Sequence, residues 1–220
     1  PTFILDGAKY EATPGETERE QYARKLTSHP QFARAAVNLF CAELMGRRIL
    51  VTGLGTFWGG RVAQALEQDP TVDIIVGLDT KPPSVELERT EFVRVDENYS
   101  ILARIVKATQ VDTIVHTFLL VDSSSVSSSR MHEINVIGTM NLFAAASQPE
   151  SRVGNVVLKS STLVYGSTHA DPVWFTETTR RTALPRHRVE RSLLEVEGYV
   201  RDYATDNPEV TVSLLRFSNV

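Results

Sequence analysis

From residue 47 onward, apolar residues come in short unbroken runs separated by stretches with helical spacing. Runs such as Arg48–Thr52 (RILVT) lack the polar alternation of a half-exposed strand, so each run predicts a strand covered on both faces. The predicted strands are Arg48–Thr52, Val72–Leu78, Glu91–Val95, Thr113–Leu120, Val153–Lys159 and Thr211–Arg216. The predicted helices are Gly59–Gln68, Ile101–Thr109, Glu133–Ala146 and Val189–Ala204.

This alternation of strands and helices predicts an α/β fold with a doubly wound parallel sheet, because parallel neighbours need crossover connections. The predicted domain covers residues 47–220. The serine-rich stretch Val121–Ser129 follows the fourth strand and predicts a flexible loop.

Residues 1–46 have a different pattern and predict a helical N-terminal appendage. Ser28, Pro30 and Gln31 form a helix-start signal, and Gly46 can close the helix that follows. One face of that helix is apolar, with Phe32, Ala36, Leu39, Phe40 and Leu44. An amphipathic helix docked on an apolar surface is the structural interpretation of this segment.

The amino-acid composition excludes several classes of binding partner and site. The 27 acidic residues against 23 Lys and Arg argue against a nucleic-acid phosphate backbone. The single cysteine, Cys41, excludes an internal disulfide, and no Cys/His cluster has metal-ligand spacing, so we expect no metal site. Without a long apolar run or a signal segment, we expect a cytoplasmic protein that does not enter a membrane.

The first strand-to-helix turn carries the candidate ligand chemistry. It reads VTGLGTFWGG, and in such a sheet the ligand crevice lies beyond the carboxyl ends of the strands. Gly53 would make the tight turn, Gly55 would let the backbone approach phosphates, and Gly59 would allow close packing of helix on strand. A turn that is merely tight is the alternative interpretation.

Two carboxylates could complete a dinucleotide site. Asp79 ends the second strand, 26 residues after Gly53, where a carboxylate can accept the adenosine ribose hydroxyls of NAD. Lys81 leaves NADP open as the less favoured cofactor. Asp96, after the third strand, would bind the adenine amino group or lie in solvent; the sequence does not decide between these.

Six stretches resemble one family in order and spacing. They are TGLGTFWGG, the Asp79 strand end, VDTIVHT, NVIGTMNL, KSSTLVYG and LLRFSNV. Over residues 47–220 the chain resembles the extended short-chain dehydrogenases/reductases, the NAD-dependent nucleotide-sugar epimerase/dehydratase group. The resemblance implies a Rossmann fold and a dimer through helices. It also implies that the family's smaller C-terminal substrate domain is absent from these residues.

The resemblance also implies roles for single residues. Gly53, Gly59 and Asp79 match cofactor positions, and Phe57 falls within the same turn. Thr56 stands where the family has its middle glycine, which crowds the diphosphate turn. Other matches are Ser161 as the active-site hydroxyl, His116 at the end of the fourth strand, Asn135 bracing the central helix and Asn219 facing the substrate. A structural histidine is the favoured interpretation of His116.

The family's Tyr-x-x-x-Lys pair is missing. No tyrosine of the chain has a lysine four residues later. The matching stretch RHRVERSLLEVE places His187 at the tyrosine position and Arg191 at the lysine position. They are either the catalytic pair or two surface residues one helical turn apart. An imidazole beside a guanidinium should have a lowered pKa, and arginine does not replace a point-charge ammonium.

Two functions follow from these features. The first is an NAD-dependent epimerase/dehydratase-like protein that acts on a nucleotide sugar. The second is a non-catalytic NAD(P)-binding sensor or scaffold that has lost the acid/base pair. Residues Leu26–Gly46 separately resemble part of a bacterial domain of unknown function, which implies that residues 1–46 carry no dehydrogenase chemistry.

Overall fold

The computed structural model describes residues 2–5, 8–11, 48–95, 99–121, 126–166, 168–169, 171 and 174–218. The chain divides into two compact units, residues 1–42 with residue 220 and residues 43–219. In the first unit, strands β1 (Thr2–Leu5) and β2 (Ala8–Glu11) form an antiparallel pair with Leu5 opposite Ala8. The sequence pattern did not predict this pair. The helix expected after Ser28 lies outside the described residues.

The second unit contains a six-stranded sheet in which all neighbours are parallel. Its strands are β3 (Arg48–Thr52), β4 (Ile74–Asp79), β5 (Thr90–Arg94), β6 (Thr113–His116), β7 (Asn155–Ser161) and β8 (Thr211–Phe217). Their order is β5-β4-β3-β6-β7-β8. The chain builds outward from β3 in one direction and then in the other, which confirms the predicted doubly wound sheet.

The helices connect these strands. They are α1 (Phe57–Glu67), α2 (Tyr99–Thr109), α3 (Ser128–His132), α4 (Gly138–Ala146) and α5 (Arg188–Asp206). A π-helical turn (Glu133–Ile137) joins α3 to α4, and a 3₁₀ turn (Thr162–Tyr165) follows β7. The predicted helix Glu133–Ala146 is therefore a π-turn followed by α4. The helix that precedes the π-turn, α3, includes Ser128 and Ser129 of the predicted loop, and Ser127 caps its N-terminus.

The fourth strand is shorter than the sequence predicted, ending at His116 and not at Leu120. The reason is that the Asn135 side chain makes the hydrogen bonds that a neighbouring strand would otherwise provide to Leu120. Asn135 Oδ1 accepts the Leu120 N–H at 2.8 Å, and Asn135 Nδ2 donates to the Leu120 carbonyl at 2.9 Å. With both backbone groups of Leu120 satisfied by an amide, the segment needs no neighbouring strand.

Helices cover both faces of the sheet. On one face α2, α4 and α5 pack with the strands, and Phe143 of α4 makes edge contacts with Tyr199 and Tyr203 of α5 at 6.0 and 4.6 Å. On the other face Trp58 of α1 lies 4.8 Å from the ring of Phe217 on β8. This burial holds the carboxyl ends of β3, β4, β6 and β7 together at one edge.

Candidate dinucleotide site

The turn after β3 has the geometry of a tight strand-to-helix connection. Gly53 has φ +76°, a conformation that favours glycine. Its N–H donates to the Leu78 carbonyl at 2.8 Å, which ties the turn to the end of β4. A Cβ on Gly53 would lie 2.9 Å from backbone atoms of Phe118, so the segment after β6 closes directly on the turn.

Thr56 stands at the N-cap of α1, where the family has a glycine. Its Oγ1 accepts the N–H of Gly59 at 3.1 Å and donates to the Gly53 carbonyl at 2.7 Å. The residue thus stabilises the start of α1, and it also uses a helix N–H that a bound anion would otherwise be free to accept. The crowding expected from the sequence takes this form.

Asp79 lies at the end of β4 and is 7% exposed. Its Oδ2 accepts the N–H of Gly55 at 2.9 Å, and its Oδ1 accepts the N–H of Lys81 at 3.1 Å. Oδ1 also accepts the hydroxyl of Thr80 at 3.3 Å. Because a carboxylate has about four lone-pair positions, the capacity left for a ribose hydroxyl lies on Oδ2. The carboxylate therefore faces the glycine-rich turn, as the dinucleotide interpretation requires.

A cleft opens beside these residues at the carboxyl edge of the sheet. Its lining includes Gly53, Asp79, His116, Phe118, Leu102 and Leu142. The Asp79 carboxylate lies among walls that are mostly apolar. Apolar walls with one carboxylate suit a ligand that joins an apolar ring to a hydroxylated one.

His116 is buried and spans from β3 to α4. Its Nδ1 lies 2.5 Å from Thr52 Oγ1, and its Nε2 lies 3.0 Å from Thr139 Oγ1. Thr139 Oγ1 donates to the Asn135 carbonyl at 2.5 Å, so it must accept from Nε2–H, and Thr52 then donates to Nδ1. Burial lowers the pKa of His116 to about 4. A neutral, fully bonded imidazole favours the structural interpretation, although its ring still lines the cleft.

Ser161 ends β7 and is fully buried. Its Oγ accepts the Leu163 N–H at 3.2 Å and caps the 3₁₀ turn. Within the described residues no other hydrogen bond of Ser161 is seen, and Ser161 is not among the residues that line the cleft of Asp79. The neighbouring Ser160 faces the opposite way and donates to Glu197 of α5 at 2.7 Å.

His187 and Arg191 lie elsewhere. His187 precedes α5 as its N-cap residue without a side-chain capping bond, and both side chains are exposed. Arg191 lines a groove between α3 and α5 together with His132 and Glu195, and His132 Nδ1 lies 3.3 Å from Glu195 Oε2. The structure does not bring His187 and Arg191 to the cleft that contains Asp79. Their catalytic role stays a prediction.

The remaining expected site residues differ in what the structure says of them. Phe57 is 57% exposed at the start of α1, with its ring edge-on to Trp58 at 5.4 Å. Asp96 and Asn219 lie outside the described residues. Within the described part of the chain, no cluster of three metal-ligating side chains occurs, and no helix has the length and apolarity needed to cross a bilayer.

Sequence reasoning missed a buried charge network beside the strand end. Glu197, fully buried on α5, accepts from Arg216 of β8 through both Nε (2.9 Å) and Nη2 (2.8 Å). Arg216 Nη1 also donates to Tyr165 Oη at 2.6 Å. The network fixes β8 and the 3₁₀ turn to α5. The only signal in the sequence was an apolar helix face interrupted by a carboxylate.

A family model for the NAD dependent epimerase/dehydratase family matches residues 49–220. The chain belongs to this family. An uncharacterized protein of Mycobacterium tuberculosis is 34% identical over 199 residues, which cover 88% of this chain and 49% of the relative. The UDP-glucose 4-epimerase 3 of Oryza sativa subsp. japonica is 28% identical over 189 residues, covering 79% of this chain and 49% of that protein. The chain thus spans about half the length of the curated relatives it matches.

Solved structures show the same fold. The UDP-glucuronic acid 4-epimerase of Bacillus cereus, in complex with NAD, matches with a TM-score of 0.65 and 22% identity, covering 78% of this chain and 56% of that one. At this identity the likeness concerns the fold.

Proposed function

We propose that this chain is the dinucleotide-binding part of an epimerase/dehydratase-like protein that uses NAD to act on a nucleotide sugar. The observation that carries the proposal is the Asp79 carboxylate, held at the end of β4 by the N–H of Gly55 in the glycine-rich turn. Family membership supports NAD as the cofactor. The similar UDP-glucose and UDP-glucuronic acid 4-epimerases support a nucleotide sugar as the substrate class.

The residues present fit a dinucleotide in three places. Asp79 can accept ribose hydroxyls, the apolar cleft wall can bury an adenine, and the start of α1 attracts a diphosphate. A Cβ at Gly59 would lie 2.0 Å from the Gly53 carbonyl oxygen, which leaves no room for a side chain, and a Cβ at Gly55 would be tight, with neighbouring atoms at 3.1–3.3 Å. NAD supplies the redox chemistry when bound. Ser161 would donate its hydroxyl proton to the oxygen of the reacting sugar carbon.

Calorimetric titration with NAD tests the proposal. We expect the wild type to bind NAD more tightly than NADP, because a 2′-phosphate would meet the Asp79 charge. Asp79→Asn should weaken NAD binding about tenfold to a hundredfold, the effect of losing charge-assisted hydrogen bonds. The matched control is Asp112→Asn, since Asp112 accepts a backbone N–H from Arg48 next to the amino end of β6. No NAD binding by the wild type at millimolar ligand would refute the proposal.

One observation favours the second candidate, a non-catalytic NAD(P)-binding sensor or scaffold. The residues aligned with the family's catalytic pair, His187 and Arg191, are exposed and do not line the cleft. The test is turnover of UDP-glucose by the full-length protein, before and after His187→Ala. Turnover that is lost in this variant would exclude the scaffold function, whereas NAD binding without turnover would support it.

A further inference from the structure

Lys159 is a buried cation for which the described residues provide no partner. It lies in β7 within the run VVLKSS and is 6% exposed. Among the described residues it has no hydrogen bond and no ion pair. Burial lowers the pKa of its ammonium group. Because an unpaired buried charge costs several kcal/mol, the fold alone gives no reason for a lysine at this position.

The direction of Lys159 follows from its neighbours on the strand. Successive side chains of a strand point to opposite faces. Ser160 bonds to Glu197 on the α5 face, so Lys159 and Ser161 belong to the other face. Phe217, opposite Ser161 on β8, stacks on Trp58 of α1 and confirms which helix covers that face. Lys159 therefore lies on the face of the sheet that α1 covers.

On this face Lys159 is close to the glycine-rich turn. The register of β6 and β7 pairs His116 with Leu158, so the next pair along the strands is Thr117 and Lys159. Thr117 Oγ1 lies 3.4 Å from Thr56 Oγ1 at the N-cap of α1. Adjacent strands are only about 4.8 Å apart, and lysine has a flexible four-carbon stem. Its ammonium can thus reach the start of α1.

We propose that Lys159 is the counter-charge for the diphosphate of a dinucleotide bound at the start of α1. The inference rests on the proposed function and adds a residue to it. Thr56 takes the N–H of Gly59 for the helix cap, so the turn offers an anion fewer donors than an all-glycine turn. The ammonium of Lys159 replaces this lost attraction, and the anion in turn gives the buried cation its missing partner.

A ligand series separates the diphosphate from the rest of the cofactor. Adenosine lacks the diphosphate and would contact only the cleft with Asp79, whereas ADP and NAD carry the diphosphate. Lys159→Met keeps an unbranched apolar stem and removes the charge. In this variant we expect unchanged affinity for adenosine and an affinity for ADP and NAD that is tenfold to a hundredfold lower, the span of one charge-assisted hydrogen bond. Lys107→Met, at an exposed lysine of α2, is the control and should change none of the three affinities.

The variant should fold, since it removes a charge that has no partner in the described structure. Thermal unfolding followed by circular dichroism should give a Tm equal to or above that of the wild type. Equal ADP affinity in Lys159→Met and wild type overturns the inference alone and leaves the proposed function intact. A wild type that binds neither adenosine nor NAD overturns both. If Lys159→Met and Lys159→Gln both fail to fold, the lysine is required for folding and the inference is wrong.

Discussion

Replacing Gly59 with alanine tests how closely α1 packs on the glycine-rich turn. A Cβ at this position would lie 2.0 Å from the carbonyl oxygen and 2.6 Å from the carbonyl carbon of Gly53. Both are backbone atoms, so no side-chain rotation can relieve the overlap. Because non-bonded heavy atoms rest about 3.5 Å apart, the start of α1 would have to move roughly 1 Å or more from β3.

The expected change in stability is the difference between two effects. Alanine improves helix propensity by about 0.5–1 kcal/mol relative to glycine, while overpacking in a closely packed region costs about 1–3 kcal/mol or more. We therefore expect a net loss of about 1–2 kcal/mol for Gly59→Ala. Gly198→Ala in α5 is the matched control, since a Cβ there has nothing within 4 Å. It should stabilise the fold by about 0.5–1 kcal/mol.

Urea unfolding followed by circular dichroism measures both variants, with the midpoint and the m-value fitted separately. The two midpoints should move in opposite directions at a constant m-value. NAD affinity should fall for Gly59→Ala and stay unchanged for Gly198→Ala, because only the first lies at the turn. Midpoints that rise equally in the two variants would show that α1 is not packed on Gly53 as described.

Three further predictions concern the interior. His116 has a pKa of about 4 in the folded state and 6.5 in the unfolded state. As the pH drops from 6.5 to 4, the free energy of unfolding should therefore fall by about 3 kcal/mol more in the wild type than in His116→Gln. Equal pH dependence of the two proteins would refute this. Glu197→Gln should cost about 3–5 kcal/mol in urea unfolding, since it removes the buried carboxylate that pairs with Arg216, against under about 1 kcal/mol for exposed Glu195→Gln. Phe143→Ala should cost about 3–5 kcal/mol by the same measurement, and a loss below 1 kcal/mol would contradict its place in the core.

The parallel sheet was predictable because its signal is local. Strands such as β3 and β4 are short apolar runs next to helical periodicity, and crossover geometry then limits the topology. The end of β6 was not predictable, because it depends on the Asn135 amide, which comes from a turn 15 residues further along the chain. A hydrophobic pattern contains no information about such a contact.

The candidate site was predictable to a similar degree. Gly53 was recognisable because a tight turn after a strand favours glycine, and Asp79 because it is a carboxylate at the end of a predicted strand. The place of Arg191 was not predictable, because alignment to a motif does not say which face of a helix is turned to the sheet. Among the described residues Lys159 has no hydrogen-bonding partner, and this depends on all its neighbours in three dimensions. The sequence of the strand that contains it could not reveal that.

The π-helical turn Glu133–Ile137 has a consequence for evolution by insertion and deletion. A π-turn holds one residue more than an α-turn, and it commonly marks a functional position. Asn135 in this turn bonds Leu120 on one side and Ser192 of α5 on the other. Removing a single residue from the turn would rotate α3 by about 100° relative to α4. The hydrogen bonds of Asn135 to Leu120 and Ser192 would then be lost, although composition and hydrophobic content would hardly change.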